Sequence, residues 1–172
     1  MNKQEQQAHF DCWLREHGAI LHHITRGFAS GDDCNDLMQE LLLAMWKAIP
    51  AFRQGSKVST FLYRVSHNAA MMWQRGRRNY RRRVEKYEAT LPPETTGSAG
   101  EPPPEPELLE RLYVEIRQLP VVDRSLILLS LEGISYREMA EIHGLSESNV
   151  GVKLNRLKQK LSTSLKPNNH EL

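Results

Sequence analysis

Between Ser146 and Lys160 the chain sets polar and cationic side chains at helical spacing: Ser146, Ser148, Asn149, Val152, Lys153, Asn155, Arg156 and Lys160. At about 100° per residue, Ser148, Val152, Asn155, Arg156 and Gln159 share one side of a helix, with Asn149, Lys153 and Lys160 at its edge. Val150, Leu154, Leu157 and Leu161 share the opposite side. Guanidinium and amide groups read base edges, ammonium and hydroxyl groups hold phosphates, and a methyl can meet thymine. From Val150 to Lys166 there are five bases and no acid. This pattern suits a face laid against DNA; the competing reading is an ordinary helical hairpin.

The segment before it supplies what would position such a face. Ser135 and Glu138 have capping-box spacing, so they open a helix that carries Met139, Ala140 and Ile142 and stops at Gly144. A helix-turn-helix needs a small residue where its helices cross and a residue tolerant of positive φ in the turn. Ala140 and Gly144 meet those needs, and Ser146 caps the second helix. Further upstream, Leu108, Leu112, Ile116 and Leu119 mark one helical face. Pro120 interrupts the chain there, and the short apolar run from Val121 ends at Gly133.

A second constellation lies near the middle of the chain. Phe52, Phe61, Tyr63 and Trp73 are interleaved with Arg64, His67, Asn68, Arg75, Arg77 and Arg78 on a helix expected from about Val58. Bases neutralise phosphates, and aromatic rings stack on unpaired nucleobases for about 1–3 kcal/mol each. Leu62, Val65, Ala69 and Met72 are expected to face inward, and Arg64, His67, Gln74 and Arg78 outward. The plainer alternative is core aromatics followed by a solvated arginine tail.

Two helices precede it. Phe10, Trp13, Leu14, His17, Leu21, Ile24 and Phe28 form one buried stripe, and Ser30 to Asp33 form a turn and cap. The next helix, about residues 33–49, places Leu37, Leu41, Ala44 and Ala48 on one face and Asp36, Gln39, Glu40 and Leu43 on another.

Charge divides the chain. Residues 1–50 hold seven acids and four bases, residues 51–87 ten bases and one acid. Residues 88–107 hold five glutamates, no base and six of the nine prolines. Such a stretch buries too little apolar area to offset its ordering entropy and reads as an extended linker. The expected organisation is therefore all-α: a helical domain over 1–87, the linker 88–107, and a helix-turn-helix domain over 108–172.

The 172 residues, 40% hydrophobic and 26% charged, suit one or two small domains. No apolar run nears the roughly 20 residues of a membrane span, and residues 1–18 lack the pattern of a targeting signal. Cys12 and Cys34 fit a reducing compartment. No Walker A run, G-x-S-x-G or H-E-x-x-H appears. His9, Cys12, His17, His22, His23 and Cys34 match no common zinc spacing. The expectation is a cytoplasmic protein that is not an enzyme and has neither metal nor cofactor.

Taken together, these residues resemble the extracytoplasmic-function sigma factors of bacteria over nearly the whole chain. DDCNDLMQELLLAMWKAIPAFR is similar to the family's segment that grips core RNA polymerase, which implies polymerase contacts for Asp36, Gln39, Glu40 and Leu43. STFLYRVSHNAAMMWQRGRR looks like the segment that opens and reads the minus-ten promoter element. That implies roles for Phe61, Tyr63, Arg64, His67, Asn68, Arg75, Arg77 and Arg78. The run from Leu119 to Leu161 is similar to the domain that reads the minus-thirty-five element, through the residues of 146–160 named above. The resemblance implies core RNA polymerase and promoter DNA as partners, and an anti-sigma factor, often membrane-bound. Phe61 stands where relatives commonly have Trp, and NVGVKLNRL departs from the usual recognition run, with Gly151 costing a helix about 1 kcal/mol against Ala. Two other readings compete: a helix-turn-helix regulator that acts without being a polymerase subunit, and an Arg-rich RNA-binding protein.

Overall fold

The computed structural model describes residues 2–53, 55–88 and 107–165; most of the expected linker therefore lies outside the described residues. Seven α-helices, one 3-10 turn and no strand are found among them.

Helix α1 (Lys3–Phe28) opens with a capping box between Asn2 and Glu5, a start the apolar stripe did not mark. It buries Trp13, Ile20, Leu21, Ile24 and Phe28. Leu14, expected in that stripe, is 39% exposed, and Ile20 is buried in addition. Helix α2 (Asp33–Ala48) buries Leu37, Leu41 and Met45. Its inner face therefore runs through Leu37, Leu41 and Met45, and Ala44 and Ala48, expected on that face, are half-buried beside it. A 3-10 turn, Ile49–Ala51, contains Pro50 and ends α2. Helix α3 (Val58–Glu88) starts at the expected residue and runs well past the core. These three helices pack mutually into one bundle.

Helix α4 (Leu108–Gln118) buries Tyr113 and Ile116. Leu108, expected on the inner face, is 64% exposed at the first turn. Leu119 takes an extended conformation before Pro120, and α5 (Val121–Leu131) follows, apolar on most sides. Its end at Gly133 has φ +68°. Helix α6 (Tyr136–His143) carries the Ser135–Glu138 capping box, and Gly144 stops it at φ +64° with the Leu145 N–H donating to the Ala140 carbonyl at 3.0 Å. Helix α7 (Glu147–Ser164) has Ser146 as N-cap and buries Val150, Leu154, Leu157 and Leu161.

The α4–α7 unit sits against the first bundle. Helix α1 meets α4 and α5, and Gly27 makes the close approach possible: a Cβ there would lie 2.7 Å from Leu128 Cδ1. Polar contacts cross the same boundary, from Arg26 to Glu110 at 2.9 Å, from Arg117 to the Arg26 carbonyl at 2.9 Å, and from Thr60 to Glu138 at 2.9 Å.

Candidate nucleic-acid interface

The helix-turn-helix holds its outer face clear of the core. With Val150, Leu154, Leu157 and Leu161 packed inward, the 3.6-residue period leaves Ser148, Asn149, Asn155, Arg156 and Lys160 exposed, and Val152 is 51% exposed. The N-terminus of α7 is capped by the Ser146 hydroxyl, which accepts from the Asn149 N–H at 3.3 Å. Its remaining free N–H groups face outward in the same turn, where they favour an anion. Lys153 differs from its neighbours. It is half-buried and donates to Asp123 on α5 at 3.0 Å, so its charge is already partnered. The ring of Tyr136 leans over Gly151, where a Cβ would meet it at 3.4 Å. A Cβ at that distance would make an ordinary van der Waals contact, so this packing does not require glycine.

On α2, Asp36, Gln39, Glu40 and Leu43 all project outward, and Leu43 is 45% exposed. An open groove of about 870 Å³ runs beside them, between α2 and α3, floored by Ala44 and Ala69 and flanked by Leu43, Met72, Trp73 and Tyr80. Met72 is 71% exposed, contrary to its expected place in the core. The buried side of α3 is that of Leu62, Tyr63, Ser66, His67 and Ala70, and at 100° per residue Met72 falls on the opposite side.

Helix α3 splits the second constellation in two. Arg64, Asn68, Arg75 and Arg78 are exposed, and Phe61 and Arg77 are half-buried. Phe61 belongs to an aromatic cluster with Trp13 and Phe52, at ring-centroid distances of 6.1 and 4.9 Å. Arg77 pairs with Asp33 and lies over the Trp73 ring at 5.5 Å. Tyr63 and His67 are interior, the latter against the expectation that it faces out. Their rings stack at 5.7 Å, and both are covered from the carboxy-terminal unit. The Tyr63 hydroxyl donates to the Ser125 carbonyl at 3.0 Å, and His67 meets His143 edge-on at 5.6 Å. Ser125 in turn lies 2.8 Å from His143 Nε2. Burial raises the Tyr63 phenol above its ordinary range and, aided by the nearby His143 and Arg124, lowers His67 to about 4. Both are neutral at pH 7. Among the described residues no three His, Cys, Asp or Glu side chains converge on a possible metal position, and no helix is long and apolar enough to cross a membrane.

Known proteins match both units. The family described as Sigma-70 region 2 matches residues 13–80, and that described as Sigma-70, region 4 matches residues 109–161, together more than half of the chain. The RNA polymerase sigma factor YlaC of Bacillus subtilis is 28% identical over 169 residues, covering 94% of each chain. The ECF RNA polymerase sigma-E factor of Haemophilus influenzae is 28% identical, covering 84% of this chain and 80% of that one. ECF RNA polymerase sigma factor SigM of Mycobacterium tuberculosis is 25% identical, covering 91% and 76%. The fold is also that of the sigma factor RpoE solved in complex with the anti-sigma factor NepR from Bartonella quintana, with TM-score 0.66, 21% identity and coverage of 92% and 96%. CnrH, solved with the cytosolic domain of CnrY, gives TM-score 0.59 at 24% identity, covering 92% and 88%.

Proposed function

Because the chain belongs to the extracytoplasmic-function sigma factors, which bind core RNA polymerase and promoter DNA to initiate transcription without being enzymes, we propose that three of its faces divide that task. The α2 face of Asp36, Gln39, Glu40 and Leu43 docks on core polymerase. Helix α3 opens and reads the minus-ten element through Phe61, Tyr63, Arg64, His67, Asn68, Arg75, Arg77 and Arg78. Helix α7 reads the minus-thirty-five element through Ser146, Ser148, Asn149, Val152, Lys153, Asn155, Arg156 and Lys160. Residues 1–87 and 108–172 act as separate domains, tethered by 88–107. The protein works in the cytoplasm, and an anti-sigma factor restrains it, as the complexes of RpoE and CnrH suggest.

The observation that carries this reading is the outer face of α7: polar, unobstructed and flanked by bases, on a helix whose N-terminus is capped and open. Transcription from genomic promoter fragments by purified core polymerase, with and without the chain, tests it. Promoter-specific transcripts should appear only with the chain. Specific duplex binding without any polymerase-dependent transcript would favour a regulator that is not a polymerase subunit.

Gln39→Ala combined with Glu40→Ala should weaken core binding while leaving the melting temperature unchanged, since both side chains are exposed. Unaltered core affinity in a pull-down titration would remove the docking role from this face.

Arg156 and Lys160 should behave differently. A guanidinium at Arg156, beside Val152 and Asn155, can contact guanine with two hydrogen bonds, whereas Lys160 lies one turn later, off that face. Arg156→Ala is expected to cost about 1–3 kcal/mol and relax preference at one base pair. Lys160→Ala should weaken all sequences alike and lower the salt slope by about one. Binding to singly substituted duplexes at several salt concentrations separates them. An even loss across the panel for Arg156→Ala would make it a phosphate contact.

A further inference from the structure

Arg81, Arg82 and Arg117 belong to none of the three faces proposed above, yet they meet in one recess. Helix α3 forms its longest wall and brings Arg77, Arg78, Arg81 and Arg82 to a space of about 440 Å³, which Arg117 of α4 lines from the carboxy-terminal unit. The end of α1 closes it at Phe28 and Ala29. At 100° per residue the four arginines of α3 fall within an arc of about 140°, so one side of the helix carries them all. Like charges four residues apart, as in Arg77 with Arg81 and Arg78 with Arg82, repel and weaken a helix. The fold therefore bears a local cost at this place.

Only part of the charge is neutralised within the protein. Five arginines line the recess against two carboxylates, Asp33 and Glu85, an excess of three. Asp33 pairs with both Arg77 and Arg81, the latter at 3.5 Å, and Glu110 pairs with Arg117 at 2.9 Å. Arg78 and Arg82 pair with no carboxylate among the described residues. Arg77 Nε is buried without a hydrogen-bond partner. Arg117 is a fixed cation: its side chain is 19% exposed, and it also donates to the Arg26 carbonyl at 2.9 Å. A guanidinium presents paired N–H donors that match phosphate oxygens, and one already held in place loses little freedom on binding. A space of this volume lies within the range of small-molecule sites, about 300–1,000 Å³.

We propose that the recess is a phosphate-binding site, in which Arg78, Arg81, Arg82 and Arg117 hold two or more linked phosphates of one ligand. Linked phosphates come from a free di- or triphosphate or from the backbone of a nucleic acid, and both offer these arginines the same chemistry. A ligand that touches Arg82 and Arg117 together joins α3 to α4, so its binding stabilises the folded chain. Arg77 and Arg78 are shared with the face proposed for the minus-ten element, and the test therefore uses the other arginines of α3.

Arg81→Gln and Arg82→Gln each remove one guanidinium from the recess. Arg83→Gln removes the same charge at a neighbouring position that does not line it. All three side chains are exposed, so the variants should keep the helix content of the wild type by circular dichroism. Calorimetric titration of the full chain with inorganic pyrophosphate, and separately with adenosine triphosphate, reads binding of free phosphates. Fluorescence anisotropy with a DNA duplex of unrelated sequence, at several salt concentrations, reads binding of a backbone. The wild type should bind pyrophosphate or the triphosphate in one saturable step and melt at a higher temperature in its presence. Arg81→Gln and Arg82→Gln should weaken that binding about ten-fold or more, the effect of losing a hydrogen bond to a charged group. Arg83→Gln should leave it nearly unchanged. If neither small probe binds, but duplex binding falls far more in Arg81→Gln and Arg82→Gln than in Arg83→Gln, the phosphates held are those of a nucleic-acid backbone. Equal losses in all three variants, or no binding of any probe, overturns the site. Because none of the three residues belongs to a proposed promoter or polymerase face, that failure would leave those assignments standing.

Discussion

Replacing Trp13 by alanine is expected to cost the protein about 3–5 kcal/mol, the range for emptying a large aromatic site from a packed core. Trp13 is buried where α1 meets the start of α3 and the segment after the 3-10 turn. Its ring lies edge-on to Phe52 at 5.2 Å and to Phe61 at 6.1 Å. Three elements close on that one side chain, so the cavity cannot collapse by a single rotamer change. The loss is a large share of the stability typical of a small protein, about 5–15 kcal/mol. It should also release Phe61, whose orientation the cluster sets, and weaken minus-ten binding beyond the loss of folded protein. Urea denaturation of the full chain checks the first effect. A change in unfolding free energy below about 1 kcal/mol would mean that the aromatic cluster contributes little.

Acidification is expected to destabilise the protein between about pH 6.5 and 4. The reason is His67: its surroundings, chiefly burial and then the charges of His143 and Arg124, lower it from its ordinary value of 6.5 to about 4. In the unfolded chain the imidazole binds a proton below about pH 6.5, whereas in the folded chain it stays neutral until about pH 4. The unfolded state therefore holds more protons in that window. Stability is fully present above it and falls as pH drops, by about 3 kcal/mol when the shift is converted at 1.36 kcal/mol per unit. The groups facing His67 are Tyr63, on its own helix, and Phe28, Arg124 and His143 from the helices packed against it. None is an acid that would stabilise an imidazolium. Two of them belong to α5 and α6, so protonation also works against the contact between the two units. Glu138 acts at lower pH. Hydrogen bonds from Ser135 and Thr60, with Lys57 nearby, hold its carboxyl at about 2, and that contribution fades as pH falls below about 4.5. Melting curves at pH 7, 5.5 and 4.5 should show the decline, and His67→Gln, which does not titrate, should flatten its upper part. An equal decline in His67→Gln would assign the effect to other groups.

The helices and their ends were legible in the sequence because their signals are local. Ser135 with Glu138, Gly144, Ser146 and Pro120 each act within one turn of the residue they fix, and the structure has caps and stops at those positions. The outer faces of α2 and α7 were legible for a related reason. Each helix packs one side on its own unit, so the period of its apolar residues states which side is left over. The all-helical class followed from the same periodicities. Near Met45 the period set the face but not the depth, whereas on α3 the inner side is rotated from the expected one towards Tyr63, Ser66, His67 and Ala70, which leaves Met72 outside. Whether a side chain on the inner side reaches the core depends on where neighbouring helices begin and end, and α3 runs past the end of its bundle.

Tyr63 and His67 are where only tertiary structure decided. Their positions on α3 were read as an outward, base-reading face, although Leu62, Ser66 and Ala70, which share that side of the helix, carry no charge. Phe28 of α1 faces His67, but the other helices that cover the pair lie beyond the linker: Ser125 pairs with Tyr63 across 62 positions. A contact across that separation rests on matching surfaces, Gly27 with Leu128 and Thr60 with Glu138, whose halves look like ordinary residues when read apart. Lys153 carries the same lesson at smaller scale. Its spacing marks it as free for phosphate, but Asp123, 30 residues earlier, already holds it. Periodicity tells which side of a helix is apolar; only the assembled chain tells which polar side is also covered, because that depends on a second surface that the local sequence does not contain.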